Sequence, residues 1–296
     1  MLKKSLFVIL ILLIIPFNAF GKEDKINIIT TLTSNEEIGF LGLIDGLFFD
    51  ENKKRLYVSD SSNSRILSYD SELKYLSALQ PGGDLKHPTS LVRTSDGRFL
   101  AVEPSRRGVL AINISEKYIK QVDFSTVPEA ESFYPGNITI DSADNIYIID
   151  RANSRVLLFN TDLQFKGEVL RDNKTRISDI KVDKQGNIYT LSTIEGIIKK
   201  YAGSGKKILE FGSRGKGKNE FNFPVSLAVD EKGLIYVVDQ HKSKVLVFNQ
   251  SGKFLFDFSE LGWREGRLAY PSFIFINNSG TIFVVDRDNS RISVFR

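Results

Sequence analysis

The chain repeats itself, and nothing else in it limits the fold as tightly. Short apolar runs ending in an acidic or small polar residue recur along its length: Leu56-Tyr57-Val58-Ser59-Asp60, Phe99-Leu100-Ala101-Val102-Glu103, Ile146-Tyr147-Ile148-Ile149-Asp150, Ile188-Tyr189-Thr190-Leu191-Ser192, Ile235-Tyr236-Val237-Val238-Asp239 and Ile282-Phe283-Val284-Val285-Asp286. Their ends are separated by 43, 47, 42, 47 and 47 residues. A sequence period of this length marks stacked copies of one supersecondary unit. A chain so built cannot be read as one irregular core.

Each copy carries the same neighbours. A short strand and a turn precede the run, as in Leu227-Ala228-Val229-Asp230 before Glu231-Lys232-Gly233. A polar loop and a third strand follow, Lys244-Val245-Leu246-Val247-Phe248, then a turn and a fourth strand, Phe254-Leu255-Phe256-Asp257-Phe258. Four short strands rich in β-branched and aromatic residues, bounded by turn residues, predict an antiparallel blade. One blade cannot bury both of its apolar faces. Six arranged radially can, and they leave no long edge open. The expectation is an all-β, six-bladed β-propeller of four-stranded blades spanning residues 22–296.

The ends of the chain supply the closure. The last copy stops at its third strand, Arg291-Ile292-Ser293-Val294-Phe295, while Ile26-Asn27-Ile28-Ile29-Thr30-Thr31-Leu32 is a spare strand ahead of the first copy. That N-terminal strand is predicted to complete the last blade.

Residues 1–21 read as a secretory signal peptide: Lys3 and Lys4, an apolar run from Leu6 to Ile15, then Pro16 and Ala19-Phe20-Gly21 before the cut. The expected location is periplasmic or extracellular. The alternative is an uncleaved N-terminal anchor, the one route to a membrane. Export removes cytosolic nucleotides and RNA from the ligands to consider. With no cysteine, the chain has no disulfide, thiolate metal site or cysteine nucleophile. Two histidines, His87 and His241, are too few for a three-histidine metal site. A net charge of +4 is too small for a dedicated nucleic-acid binder.

The motif Asp-x-x-Asn-x-Arg-Val/Ile stands at Asp60–Ile66, Asp150–Val156 and Asp286–Ile292, with a lysine form, Asp239-Gln-His-Lys242-Ser-Lys244-Val245. Prolines recur before the first strands at Pro88, Pro135, Pro224 and Pro271. On these residues the chain resembles the NHL-repeat family of six-bladed β-propellers over essentially 26–296. The resemblance implies the fold; it says little of function, because one fold hosts many. The second and fourth copies depart from the pattern, at Glu103–Gly108 and Ser192–Gly196.

The pairs Asp60–Arg65, Asp150–Arg155, Asp239–Lys244 and Asp286–Arg291 face each other across four-residue loops, so they read as structural ion pairs. The run Gly212…Gly217-Lys218-Asn219 is a connector rather than a phosphate loop, because a proline and a strand follow it. The second-to-third loops gather basic residues on one face. Among them Arg106, Arg107 and His241 lack an evident internal partner; with Lys242 and the single tryptophan, Trp263, they are the binding candidates. The function expected is a non-catalytic, exported binding or scaffold propeller that recognises a protein, peptide or glycan on that basic face, without a cofactor. The alternative resembles gluconolactonase-like or amidating-lyase-like propellers, metal-dependent hydrolases or lyases, with Glu103 and Glu195 leaving a carboxylate-bound Ca²⁺ open.

Overall fold

A computed structural model describes residues 26–296. The export segment read at 1–21 lies outside the described residues. Twenty-four strands form six separate four-stranded antiparallel sheets. The innermost strands are Ile44–Asp50, Ser90–Arg93, Pro135–Ile140, Asp179–Val182, Pro224–Val229 and Phe273–Ile276. Each touches the next, and the sixth touches the first, so the ring is closed.

The second strand of every blade is buried along almost all its length because neighbouring blades cover both of its faces. Most residues there are large and apolar, and burying one stabilises by about 1.5–3 kcal/mol. The seams are interleaved aromatics and aliphatics. Phe49 of the first blade stacks on Phe283 of the sixth, with ring centroids 6.1 Å apart.

The sixth sheet is composite. Its outermost strand is Ile28–Leu32, paired antiparallel to Arg291–Phe295 with Ile28 opposite Phe295 and Leu32 opposite Ile292. Backbone hydrogen bonds between Asn27 and Arg296 in both directions extend the seam. The two ends of the described chain thus lock each other, as the strand count predicts.

Antiparallel strands place all connectors and all second-to-third loops on one face of the disc, hereafter the motif face. The first-to-second turns lie on the other, the turn face. Every second-to-third loop bends at the fourth residue after the end of the apolar run: Ser64, Arg107, Ser154, Gly196, Ser243 and Ser290 all have φ between 47° and 66°. The second and fourth blades therefore share the loop geometry of the others despite their different sequences. In the second, a bulky Arg107 occupies a left-handed conformation that costs an ordinary residue about 1 kcal/mol.

Candidate functional site

The motif residues fasten connectors. The Arg65 guanidinium donates to Asp60 Oδ2 at 2.8 Å and to the carbonyls of Ile38 and Phe40 at 2.8 and 2.9 Å. Arg291 donates to Asp286 at 2.7 Å and to the carbonyls of Trp263, Arg264 and Arg267. Arg155 pairs with Asp150 at 2.8 Å and reaches the Pro128 carbonyl. It is 1% exposed and also meets Glu168 at 3.2 Å. A hydrogen bond from Arg171, opposed by partial burial and helped by Arg155, holds the Glu168 carboxyl below its ordinary range.

The acidic residue does the complementary half. Asp60, Asp150, Asp239 and Asp286, all fully buried, accept backbone N–H groups from the incoming connector at Gly42, Tyr134, Asn222 with Phe223, and Ala269. Glu103 takes the same part in the second blade, accepting from Lys86 N, His87 N and the Ser105 hydroxyl. A carboxylate accepting several such donors is satisfied without a counter-ion.

One expected pair does not form. Asp239 and Lys244 stand opposite in the register, yet the Lys244 ammonium turns to Asp257 at 2.9 Å. Lysine lacks the planar fork that lets arginine serve a carboxylate and carbonyls together. The connector is instead held by Lys242, whose ammonium donates to the Gly217 and Glu220 carbonyls, both at 2.6 Å. Three candidates expected to be unpartnered are likewise engaged. Arg106 donates to the Gly83 carbonyl at 3.1 Å, and Arg107 lies over the Tyr134 ring at 5.7 Å. His241 stacks on Phe223 at 4.5 Å and meets Tyr270 edge-on at 6.2 Å.

Exposed apolar and basic side chains share this face with exposed carboxylates, among them Glu36, Asp84, Glu131, Glu265 and Asp288. Of ten exposed large apolar side chains among the described residues, six lie here: Phe40, Leu43, Ile194, Leu261, Trp263 and Tyr270. Trp263 is the most exposed of them, at 79%. Three are presented in the same manner. The Phe40 carbonyl is gripped by Arg65 and Asn63, the Ile194 carbonyl by Arg214 at 2.8 Å, and the Trp263 carbonyl by Arg291 at 3.0 Å. The backbone is pinned while the side chain points to solvent.

A family model for the NHL repeat matches residues 221–248 and 268–295, the fifth and sixth blades. The remaining four blades repeat their strand order and loop geometry. The chain is a six-bladed β-propeller with NHL repeats in its fifth and sixth blades. No curated protein matches its sequence. Among solved structures it is similar to an auxiliary nutrient binding protein from Bacteroides ovatus, at TM-score 0.68 and 12% identity over 90% of this chain and 76% of that one. It is also similar to virginiamycin B lyase from Staphylococcus aureus, at TM-score 0.66 and 12% identity over 92% and 99% of the chains. A putative gluconolactonase matches at TM-score 0.66 and 11% identity, over 92% and 91%. At such identities these likenesses concern the fold.

The turn face of the propeller holds a second repeat, missed in the sequence reading. Asp141, Asp183 and Asp230 each accept turn N–H groups and a hydroxyl proton from a tyrosine six residues on, Tyr147, Tyr189 and Tyr236, at 3.1–3.2 Å. Burial, then the neighbouring carboxylate, pushes the Tyr147 hydroxyl up to about 12 and the other two further in the same direction. The constant spacing of six in three successive blades is the signal that finds them.

Neither odd-blade glutamate faces a metal cluster: Glu103 is taken up as described, and Glu195 accepts from the Ser192 hydroxyl. Among the described residues no group of three or more histidine or carboxylate side chains is placed to hold a metal ion. No helix there is long and apolar enough to cross a membrane.

Proposed function

We propose that the protein is an exported, non-catalytic binding module that recognises a protein segment, peptide or glycan with acidic groups on its motif face. One observation carries this reading. Phe40, Ile194 and Trp263, from three different blades, are exposed while their own carbonyls are held by arginines. A backbone fixed before the partner arrives leaves less entropy to lose on binding, and that preorganisation raises affinity. Tryptophan and arginine are also the residues that most often dominate binding energy. Around them Arg107, Arg151, Arg176 and Arg287 are exposed and form no ion pair among the described residues, so an acidic ligand would find four guanidinium groups not held by a carboxylate. The relatives named for nutrient binding lend a precedent for the fold in such a role.

The test screens the chain from residue 22 against an array of acidic glycans and a library of acidic peptides. A Phe40→Ser/Ile194→Ser/Trp263→Ser variant, with unchanged melting, is expected to lose at least about tenfold in affinity for the hits, or 1.4 kcal/mol. Unchanged affinity would remove the motif face from consideration. Turnover of lactone or streptogramin substrates would replace the reading by the enzymatic one.

A further inference from the structure

The disc has a second candidate site at the opposite mouth. On the turn face the axial channel widens into a cavity of about 620 Å³. That lies within the size range of small-molecule sites, roughly 300–1,000 Å³. Its walls are the last residues of the six innermost strands.

Those strands can be compared position by position. Two residues before each turn stand Phe48, Val92, Thr139, Lys181, Ala228 and Phe275. Five are apolar or carry a hydroxyl, and one is a lysine. Lys181, in the fourth blade, is half-buried. Its ammonium lies 4.9 Å from the centroid of the Phe273 ring, which belongs to the sixth blade. Ala228, on the blade between, is small enough to leave that crossing open. Phe48 and Phe275 meet edge-to-face beside it, 6.2 Å apart.

The carboxylates around this mouth are already occupied. Asp50 pairs with Arg93 at 2.6 Å, Glu231 with Lys184 and Glu51 with Lys54, while Asp144 accepts from the Ser95 N–H. Asp141, Asp183 and Asp230 are taken by their turns and tyrosines. Among the described residues Lys181 forms no ion pair; the Phe273 ring is its only charge-sensitive contact. A cation drawn out of water against a ring gains about 0.5–2 kcal/mol, which does not replace a counter-ion. Lys181 is thus an ammonium without a counter-ion beside an aromatic wall, while Asp141, Asp144 and Asp230 at the rim keep their charge under neutral donors.

We propose that this cavity binds a small amphipathic anion, its carboxylate or sulfonate on the Lys181 ammonium and its apolar body against Phe48 and Phe275. This site lies apart from the motif face and does not depend on it.

The experiment uses three probes of one shape: phenylpropionate, phenylpropanol and phenylpropylamine, followed by calorimetry and saturation-transfer NMR on the mature protein. The anion is expected to bind, and to bind better than the alcohol and the amine. Lys181→Met should weaken it at least about tenfold while leaving the melting temperature unchanged or raised. Lys181→Arg should retain binding, Phe275→Ala should weaken the anion and the alcohol together, and Trp263→Ser should change neither. Equal affinity in the Lys181→Met variant, preference for the amine, or no saturable binding of the anion at millimolar concentration would overturn the proposal. Since Trp263→Ser belongs to the other face, its loss of binding elsewhere leaves this result readable.

Discussion

In the third blade the connector is held by Arg155, a side chain 1% exposed, which serves Asp150 and the Pro128 carbonyl together. In the fifth blade the cation at the matching position, Lys244, turns outward to Asp257, and Lys242 holds the connector from two residues earlier. The fourth blade uses another arrangement. Its connector carries the carboxylate, Asp172, and its third strand the cation, Lys199, 2.5 Å apart and almost buried. What recurs is the task of tying a connector to the start of a blade. The atoms that do it depend on where each connector brings a carbonyl or carboxylate within reach.

Removing the strand that completes the sixth blade sets the upper end of the scale for this comparison. Deletion of residues 26–33 strips Arg291–Phe295 of its outer partner and should lower the melting temperature by about 10 °C or more, read by circular dichroism. Loss of cooperativity would mean the ring has opened; a melting curve like that of the parent would mean that the seam is dispensable.

Next comes Arg155→Ala. It leaves a buried Asp150 without its cation, although three N–H donors remain to it. The expected cost is about 3 kcal/mol in denaturant unfolding, the lower end for a broken buried pair. A cost as small as that of Lys244→Ala would dissolve the distinction between the third and fifth blades.

The fourth blade makes the contrast visible as pH dependence. Burial works against the Asp172 carboxylate, but hydrogen bonds from Lys199 and Thr175 and from two backbone N–H groups hold it down to about 2. A carboxyl depressed in the folded state stabilises above its unfolded pKa, near 3.9, and that stability is lost as pH falls toward the folded value. Between about pH 4 and pH 2 the parent should therefore lose more melting temperature than Asp172→Asn. Parallel curves would show that the pair contributes nothing.

Arg107→Gly relieves a left-handed conformation at the position where the fourth blade has Gly196. It should stabilise by about 0.5–1 kcal/mol. A destabilised variant would mean that the contact between Arg107 and the Tyr134 ring outweighs the strain. Smallest is Lys244→Ala, expected to cost no more than about 1 kcal/mol, as for other partly exposed pairs.

The blade count, the order of strands and the composite sixth blade were all legible in the sequence. A period near 45 residues and a missing fourth strand are one-dimensional facts, and ring closure follows once edges must be covered. The acidic ends of Asp60, Asp150 and Asp286 and their arginines were legible too, because a four-residue loop leaves those side chains opposite each other. The Asp–Tyr repeat of the turn face was present at a fixed spacing and could have been read in the same way.

The partners of Lys242, Lys244, Arg106 and His241 could not be. Those of Lys242, Arg106 and His241 come from connectors of differing length and path, about 20–30 residues away in the chain for the first two, that of Lys244 comes from the fourth strand of its own blade, and a side chain's choice between a carbonyl and a carboxylate turns on distances of a few tenths of an ångström. The place of Lys181 is of the same kind: in the sequence it is one lysine of a strand, Asp179–Val182, and only the closed ring brings it over Phe273 two blades away. Local spacing determined what each blade is. The folding of six blades around one axis decided which charges are paired and which are left without an ion pair.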